Sequence, residues 1–500
     1  MSHLTSAHSM EFETLLPELG VGITYSSAIE PLLEQHPELF DVVEVEPQTT
    51  WIKTRDGSEP YRMLDSVLEH IAQLPGHKLV HSIDAPVGGT VRPEQAQLIL
   101  LERTLRRLNS PWFSEHLSFN TTADFRTGFF LPPRQTCEGV DMALTCIRDL
   151  KTALSVPVAV ETGVNYLRPR LDEMPDGDFV AAVAETADCG ILLDLHNIFA
   201  NALNGRQPVD DFLARLPLDR VWEIHLAGGF ELEGFWLDAH SGAIPRPLFD
   251  ISKRIVSTLP SLKAIIFEIY PSFVPIFGLD AIRAQMEELH ELWEFRGKTK
   301  SERLPVRVQT SIDINTYSSP AVWERALGTL VIGRQSHEDL ARELQADPGI
   351  GLVNRLICEF RGSMIVNVLR LTSRLIMLAL GADIFRAILE DFWAKTPPQQ
   401  FASLEAEAFA DYLVALDLKV PQLGKILEFE RAVAATLADE QPRVVAFDID
   451  PLPMLRSLTE GHLPEVPAQA VPFEIEVTPD GSIGVSGMDQ ESIRQIFPFH

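Results

Sequence analysis

The chain has 500 residues, which is too long for one compact core and predicts two or three domains. Its composition, 45% hydrophobic and 23% charged, is ordinary for a globular protein. The formal net charge of -29 disfavours nucleic acid and anionic membrane surfaces as partners.

Cysteine usage and the apolar segments indicate the compartment. The chain has four widely spaced cysteines, Cys137, Cys146, Cys189 and Cys358. They form no Cys-x-x-Cys pair, so neither a zinc knuckle nor a disulfide framework is indicated, and a reducing cytoplasm fits best. The first residues lack the basic start and apolar run of a signal peptide. The most apolar segment, 364–380, carries Arg370 and Arg374 and is expected to be a buried helix, not a membrane span.

Eight short apolar runs have the length of strands that are buried on both faces. They begin near residues 20, 40, 78, 112, 157, 191, 221 and 264. Helical periodicity lies between them, for example at 93–108, 142–154 and 280–293. This alternation predicts an α/β fold with a parallel sheet, and its size matches a (β/α)8 barrel of the TIM type. A doubly wound open sheet is the alternative, but no Gly-x-Gly-x-x-Gly follows the first strand.

Six of these runs end in a carboxylate or an imidazole. The six side chains are those of His81, His116, Glu161, Asp194, His225 and Glu268. Because the carboxyl ends of barrel strands meet on one face, we expect these side chains to converge. An ordinary core would not repeat this pattern, since an unpaired buried charge costs on the order of several kcal/mol. The pattern therefore predicts a metal cluster.

The loop segment 236–240 adds Asp238 and His240, which project to the same side of an extended backbone. These two are also the candidate catalytic residues. The set then holds four imidazoles and four carboxylates, which suit iron, manganese or zinc. Eight ligands exceed what one ion needs, so we expect two or three ions with open positions for substrate or dioxygen.

Other polar residues near the strand ends leave alternatives open, and any single ligand candidate could be a hydrogen-bonded loop residue. Glu44 and Glu46 could support the ligands or be ordinary polar residues of the barrel. Asn197 and Asn201 could orient ligands or cap the following helix. Four further histidines are expected to be structural or on the surface: His196, His290, His337 and His500.

The pattern changes after a polar, basic stretch around 295–305. Helices are predicted at 340–344, 352–380 and 384–392, and a further one after an N-cap at Ser403. Strands are predicted at 444–447, 473–477 and 483–485, the last two joined by a turn at Asp480 and Gly481. We expect a barrel domain at 1–298, a helical domain at 299–438 and a small β-containing part at 439–500.

Five motifs in the barrel region resemble those of one known family. They are Ser-Glu-His-Leu at 114–117, Val-Glu-Thr at 160–162, Leu-Leu-Asp-Leu-His-Asn at 192–197, Glu-Ile-His-Leu-Ala-Gly at 223–228 and Asp-Ala-His at 238–240. Over roughly residues 18–295 the chain resembles the multinuclear non-haem iron-dependent oxidative enzymes, which include the iron enzyme of methanobactin biosynthesis.

The resemblance implies a TIM-type barrel that holds two or three irons of mixed ferrous and ferric state and uses O2 as co-substrate. Its substrate would be a ribosomally made precursor peptide, modified at Cys or at Asp or Asn. The eight predicted ligands fall where the iron ligands of the family fall. Thr162 and His196 stand where the family usually has Asn, and Gly229 where a His often follows. The second strand, which ends Val-Glu-Val-Glu-Pro-Gln, also departs from the family pattern.

The C-terminal half is similar to the partner proteins that accompany such enzymes as separate chains. The similarity covers 392–401, the following helix at 405–418 and the helix-then-strand order. It implies a fusion in which this half binds and presents the precursor peptide. An unrelated helical dimerisation domain is the alternative, and the oligomeric state is left open.

Two other functions compete with an iron oxidase. A metal-dependent sugar isomerase or hydrolase on the same barrel would also use Glu, Asp and His at strand ends. A two-metal isomerase would want a lysine near the sugar oxygen, and no strand-end motif supplies one. A non-enzymatic metal-binding regulator is the second rival.

Overall fold

A computed structural model describes residues 16–54, 60–297, 318–465, 472–479 and 483–485. In chain order the strands β1 to β17 are Gly20–Thr24, Val42–Val45, Trp51–Lys53, Tyr61–Met63, His77–Ser82, Phe113–His116, Phe119–Thr121, Arg126–Leu131, Val158–Glu161, Gly190–Asp194, Val221–Ala227, Phe230–Leu232, Phe235–Leu237, Ala264–Glu268, Arg443–Phe447, Phe473–Val477 and Ile483–Val485.

The helices α1 to α18 follow the same order. They are Glu30–Gln35, Asp65–Gln73, Gln95–Leu108, Cys137–Ala153, Asp176–Ala187, Leu195–Leu203, Val209–Leu213, Arg246–Val256, Val274–Phe277, Leu279–Trp293, Pro320–Val331, Asp339–Leu344, Pro348–Val368, Arg370–Leu380, Ala382–Lys395, Ala402–Leu416, Leu423–Asp439 and Leu452–Thr459.

Eight parallel strands close into a barrel in the order β1-β14-β11-β10-β9-β6-β5-β2. This topology confirms the predicted (β/α)8 barrel, and the eight strands are those predicted from the apolar runs. Strands β9, β10, β11 and β14 are buried along their whole length because helices cover the outside of the barrel. Packing is tight at Gly190, where a Cβ atom would lie 2.3 Å from the ring of Trp222.

The register of the barrel brings the strand-end side chains to the same mouth, at levels that differ by steps of two residues along the strands. His116 on β6 lies opposite Glu161 on β9. Asp194 on β10 lies opposite His225 on β11. Glu268 on β14 lies opposite Ala227, two residues beyond His225 on β11. Neighbouring parallel strands therefore deliver imidazoles and carboxylates to the same rim.

Three antiparallel hairpins stand on the barrel loops and were not predicted. They are formed by β3 with β4, β7 with β8, and β12 with β13. Each strand of the first and third hairpins has only three residues, too few to show a periodic pattern in the sequence. The hairpin β12–β13 leads directly into Asp238, so it fixes where the loop ligands begin.

The C-terminal part is mostly helical, as predicted, and its first helices pack on the barrel loops. Trp323 of α11 and Val353 of α13 share one apolar cluster with Phe119, Leu131 and Tyr166. The remaining helices, α14 to α18, surround a second apolar cluster with the sheet β15-β16-β17. The predicted turn at 480–481 and the predicted boundary at 298 lie outside the described residues, so the domain limits remain predictions.

One predicted helix, 352–380, is two helices, α13 and α14, bent by 106° at Leu369. The carboxylate of Glu430 accepts the backbone N–H groups of Leu371 at 2.6 Å and Thr372 at 2.8 Å. It thereby satisfies donors that the first turn of α14 leaves free. The predicted N-cap Ser403 was also wrong, because α16 begins earlier, with Phe401 at the N-cap.

No single helix of the described ranges is long and apolar enough to cross a membrane. The pair α13 and α14 passes the same criteria of length and composition only when its two bent halves are taken together.

We predict that Glu324 makes stability fall as pH rises. Its carboxylate accepts the backbone N–H of Thr90 at 2.7 Å, and burial raises its pKa from 4.5 to about 7. The folded chain then binds more protons at this group than the unfolded chain, so the free energy of unfolding declines between about pH 4.5 and 7. Glu324→Gln should remove that part of the decline in urea unfolding measured at pH 5 and pH 7.5.

The matched control is Glu291→Gln, at an exposed carboxylate of α10. It should leave the dependence of stability on pH as in the wild type. An unchanged slope in Glu324→Gln would contradict the assignment.

Candidate metal centre

All eight predicted ligands lie at the carboxyl-end mouth of the barrel, six on strand ends and two in the loop after β13. Five are buried: His81, Glu161, Asp194, His225 and Glu268. The other three are partly buried: His116, Asp238 and His240. Seven of the eight fall into three overlapping groups, and Glu268 lies beside an imidazole of the second and of the third group.

The first group contains His81, His116 and Glu161. The Nε2 atoms of His81 and His116 lie 3.3 and 2.9 Å from Oε2 of Glu161. Nδ1 of His116 is 3.1 Å from the carbonyl oxygen of Ser82, which can only accept, so Nδ1 carries the proton and donates it. Nδ1 of His81 is 3.0 Å from Oγ of Ser114. Both rings therefore present Nε2 to the shared carboxylate.

The second group contains Glu161, Asp194 and His225, whose ligand atoms all lie within 4.8 Å of one another. Nδ1 of His225 is 3.9 Å from Oε1 of Glu161 and 3.2 Å from Oε1 of Glu268. Glu161 thus faces the first group with one oxygen and the second group with the other, which is the geometry of a bridging carboxylate.

The third group contains Asp194, Asp238 and His240, again within 4.8 Å. Nε2 of His240 lies 2.8 Å from Oδ1 of Asp238 and 3.5 Å from Oε2 of Glu268. Asp194 is shared with the second group, and Glu268 approaches an imidazole of each. The three groups form one row linked by carboxylates.

Several atoms of this row are buried without a hydrogen-bond partner among the described residues. They are Oε2 of Glu161, Nδ1 of His225, Nε2 of His240 and Oε2 of Glu268. Although they approach one another, the angles do not make hydrogen bonds. Buried polar atoms are rarely left in this way, and each of these four is a metal-ligand type. The donor set and its unsatisfied atoms therefore fit transition-metal ions.

The pKa shifts of the row also favour bound cations. Burial, together with the nearby carboxylates of Asp238 and Glu268, raises the pKa of Asp194 well above its usual range. Burial also opposes the charged form of Glu161, but His116 outweighs it and the pKa of Glu161 falls well below its usual range. Burial would lower the pKa of His240, yet Asp238 and Glu268 raise it to about 10. So many buried acids need positive charge, which metal ions would supply.

Two fully buried carboxylates, Glu44 and Glu223, lie on the far side of His225 from the row, and Glu223 was not singled out from the sequence. Oε2 of Glu44 and Oε1 of Glu223 lie 3.2 and 3.5 Å from Nε2 of His225. Thr24 Oγ1 donates to Glu44 at 3.1 Å, and Trp112 Nε1 donates to Glu223 at 3.0 Å. The position of Glu44 favours the supporting role, because its contact with Nε2 of His225 leaves Nδ1 facing the row, although Glu44, Glu223 and His225 are also close enough together to form a candidate metal group.

The pKa values of this pair diverge. Burial raises the pKa of Glu223 to about 7, with the charge of Glu44 adding to it. Burial opposes ionisation of Glu44 too, but His225 outweighs it and its pKa is about 2. Glu223 and His225 are two apart on β11, so the period of a strand could have indicated that both point inward.

Asn197 and His196 hold the carboxylates of the third group. Asp194 is the N-cap of α6 and accepts the backbone N–H of Asn197 at 2.9 Å with Oδ1, while the side-chain amide of Asn197 orients the carboxylate by donating to Oδ2 at 2.6 Å. His196, expected to be structural or on the surface, is fully buried, with Nδ1 3.0 Å from Oδ1 of Asp238. A Cβ atom at Gly229 would lie 2.3 Å from the backbone carbonyl oxygen of Leu237 and 2.7 Å from Nε2 of His196, so a side chain at 229 would collide with both.

A pocket of about 330 Å³ opens onto the outer end of the row. Its wall includes the ligands His240 and Glu268, the carboxylate of Glu46, and the hydroxyl-bearing side chains of Thr24, Tyr25, Ser26, Ser27, Thr49 and Tyr270. The volume suits one amino-acid side chain with its neighbouring backbone. Substrate can therefore reach the third group from this side.

The chain is similar to proteins of several bacteria. The UPF0276 protein of Streptomyces avermitilis is 29% identical over 258 residues, 50% of each chain. That of Chromobacterium violaceum is 28% identical over 225 residues, 44% of this chain and 80% of its own. The chain thus spans about half the length of the Streptomyces relative.

Among solved structures, the IolI protein with a bound zinc atom superposes with a TM-score of 0.37 at 12% identity, covering 56% of this chain and 99% of its own. That likeness says nothing about the metal or substrate of this chain. The family described as RiPP precursor modification enzyme MbnB/TglH/ChrH matches residues 19–287, more than half of the chain. The protein therefore belongs to this family, which confirms the resemblance found in its motifs.

Proposed function

We propose that the chain is an O2-dependent, multi-iron oxidoreductase that modifies a side chain of a ribosomally made precursor peptide, most readily Cys and otherwise Asp or Asn. The observation that carries the proposal is the row of three ligand groups joined by Glu161 and Asp194. Membership of a family of precursor-modifying enzymes supports the peptide as substrate.

The eight residues of the row would hold two or three irons, with Glu161 and Asp194 as shared ligands. Bound iron would lower the pKa of a coordinated substrate thiol and supply the electrons that reduce O2. Imidazole and carboxylate ligands without thiolate are typical of non-haem iron sites. Asp238 and His240 lie at the open end of the row, which makes them the ligands nearest to substrate.

The remaining residues orient the rings and exclude water. Phe130 stacks on His116 with ring centroids 4.0 Å apart, and Tyr270 stacks on His240 at 4.7 Å. Glu44 holds His225 from behind. These contacts fix each imidazole before substrate arrives, and a preorganised site loses little energy to reorganisation during reaction.

The C-terminal half is proposed to bind and present the precursor peptide. Its position supports this, since it lies against the barrel face that carries the ligands. Trp323 Nε1 donates to the carbonyl of Pro132 at 2.9 Å, just after the hairpin that bears Phe130. A Cβ atom at Gly128 of the same hairpin would lie 2.8 Å from Cβ of Pro398. A peptide held by this half would therefore be close to the row.

The sugar isomerase or hydrolase is less well supported. The pocket beside His240 and Glu268 has no lysine among the described residues of its wall. Lys78 belongs to a barrel strand, but its ammonium donates to the carbonyls of Leu74 and Gly76, each at 2.7 Å. Those carbonyls precede β5, at the end of the barrel opposite the row.

We predict that substituting a ligand lowers the iron content in proportion to the number of ligand groups to which that residue belongs. Glu161 belongs to two groups and Asp238 to one. Glu161→Gln should therefore lower the iron content by about two ions per chain and Asp238→Asn by about one, because a lost ligand weakens each ion it holds. Metal analysis of the purified variants measures this.

The matched control is His36→Gln, which removes an imidazole outside the row. It should leave the iron content unchanged. A larger loss in Asp238→Asn than in Glu161→Gln would contradict the sharing of Glu161.

We also predict that product forms only with oxygen. The full chain, reconstituted with ferrous iron, should change the mass of a Cys-containing precursor peptide in air and leave it unchanged under argon. His240→Ala should abolish the mass change, since it removes a ligand at the open end of the row. The same product under argon would contradict the oxidase. A biological effect that survives the loss of iron in His240→Ala would favour the metal-binding regulator.

A further inference from the structure

Tyr166 lies between the C-terminal helices and a ligand of the third group. Its hydroxyl oxygen accepts the backbone N–H of Asp238 at 3.0 Å, and its side chain is buried. Its backbone carbonyl faces the first turn of α13, where a Cβ atom at Gly349 would lie 2.3 Å from the carbonyl oxygen. Helix α13 and the backbone of Asp238 therefore contact the same residue from two sides.

A shared cap fixes the helix to this loop. Asp347, the N-cap of α13, accepts the backbone N–H of Gly349 at 2.9 Å with Oδ1. With Oδ2 it accepts the backbone N–H of Arg168, also at 2.9 Å. One carboxylate thus ties the start of the helix to the loop that carries Tyr166.

Apolar contacts also connect the C-terminal helices to the loop of Asp238. Leu237 and Ala239, which flank Asp238 in the chain, share an apolar cluster with Tyr166 and with residues of α11 and α13. The next ligand, His240, has a φ of 44°, a left-handed conformation that costs a residue other than glycine on the order of 1 kcal/mol. A ligand loop with such a backbone keeps its shape only if its surroundings hold it.

We propose that Tyr166 is a positioning residue through which helix α13 sets the place of Asp238, and with it the outermost metal position. The inference rests on the proposed metal centre and deepens it. It makes the first helices of the C-terminal part a component of the metal site, beyond any role in presenting a peptide. A movement of α13, for example when the C-terminal part takes up a ligand, would then change the third group and spare the first.

Two glycines of α13 provide a matched test. Alanine is favoured over glycine inside a helix by about 1 kcal/mol, so both substitutions favour the helix itself. Gly349→Ala places its Cβ against the carbonyl of Tyr166, whereas a Cβ at Gly351 meets nothing within 4 Å. The two variants therefore differ in whether the added Cβ presses on the loop of Tyr166 and on the cap carboxylate of Asp347, which joins α13 to that loop.

The full chain is titrated with ferrous iron under argon, and the bound ions are followed by Mössbauer spectroscopy. Gly349→Ala should lower the affinity for one ion by about tenfold, in the range known for groups that orient metal ligands. It should alter the spectrum of that ion alone. Gly351→Ala should match the wild type. Tyr166→Phe, which removes only the hydroxyl acceptor, should lower the affinity for the same ion.

Unfolding of the metal-free variants separates positioning from loss of fold. Gly349→Ala and Tyr166→Phe should remain folded at the titration temperature while still showing the weakened ion. Wild-type iron affinities and spectra in both variants would overturn the inference while leaving the metal centre standing. A wild-type chain that binds no iron would instead contradict the metal centre itself, and the inference with it.

Discussion

The carboxylate of Glu161 lies between the imidazoles of His81, His116 and His225, and the rest of the site is arranged around it. Burying a lone carboxylate in a barrel would be costly, and burying four at one mouth still more so. Imidazoles offset part of this cost, but unsatisfied atoms remain on both kinds of group. A row of metal ions would account for the combination, since each ion would supply positive charge and take up the free ligand atoms.

Much of the barrel and of the ligand row could be predicted from the sequence, because a parallel barrel brings the ends of its strands together. A polar residue that ends an apolar run is therefore placed in space by the fold alone. Contacts across the barrel carry no such signal. Glu44 contacts His225 over a separation of 181 residues, and no local sequence pattern predicts that contact. The same holds for the bend at Leu369, where the carboxylate that accepts the first N–H groups of α14 belongs to the distant Glu430.

The departures from the family pattern have a physical explanation at one place. A Cβ atom at Gly229 would meet the backbone carbonyl of Leu237 and the imidazole of His196, which approaches Asp238, so the structure leaves no room for a side chain at 229. The C-terminal half adds a second feature that the sequence alone did not show. Its first helices share an apolar cluster with loops at the mouth of the barrel, so the barrel and the C-terminal half meet inside one packed region.

The central claim, that these side chains cage iron, is tested most directly by counting metal in the purified full-length chain. Metal analysis should find two or three irons per chain, and their removal by a chelator should lower the unfolding temperature, because ions that bind only the folded state stabilise it. A folded chain that contains no iron, takes up none when it is offered under argon, and unfolds at the same temperature with and without it would contradict the account.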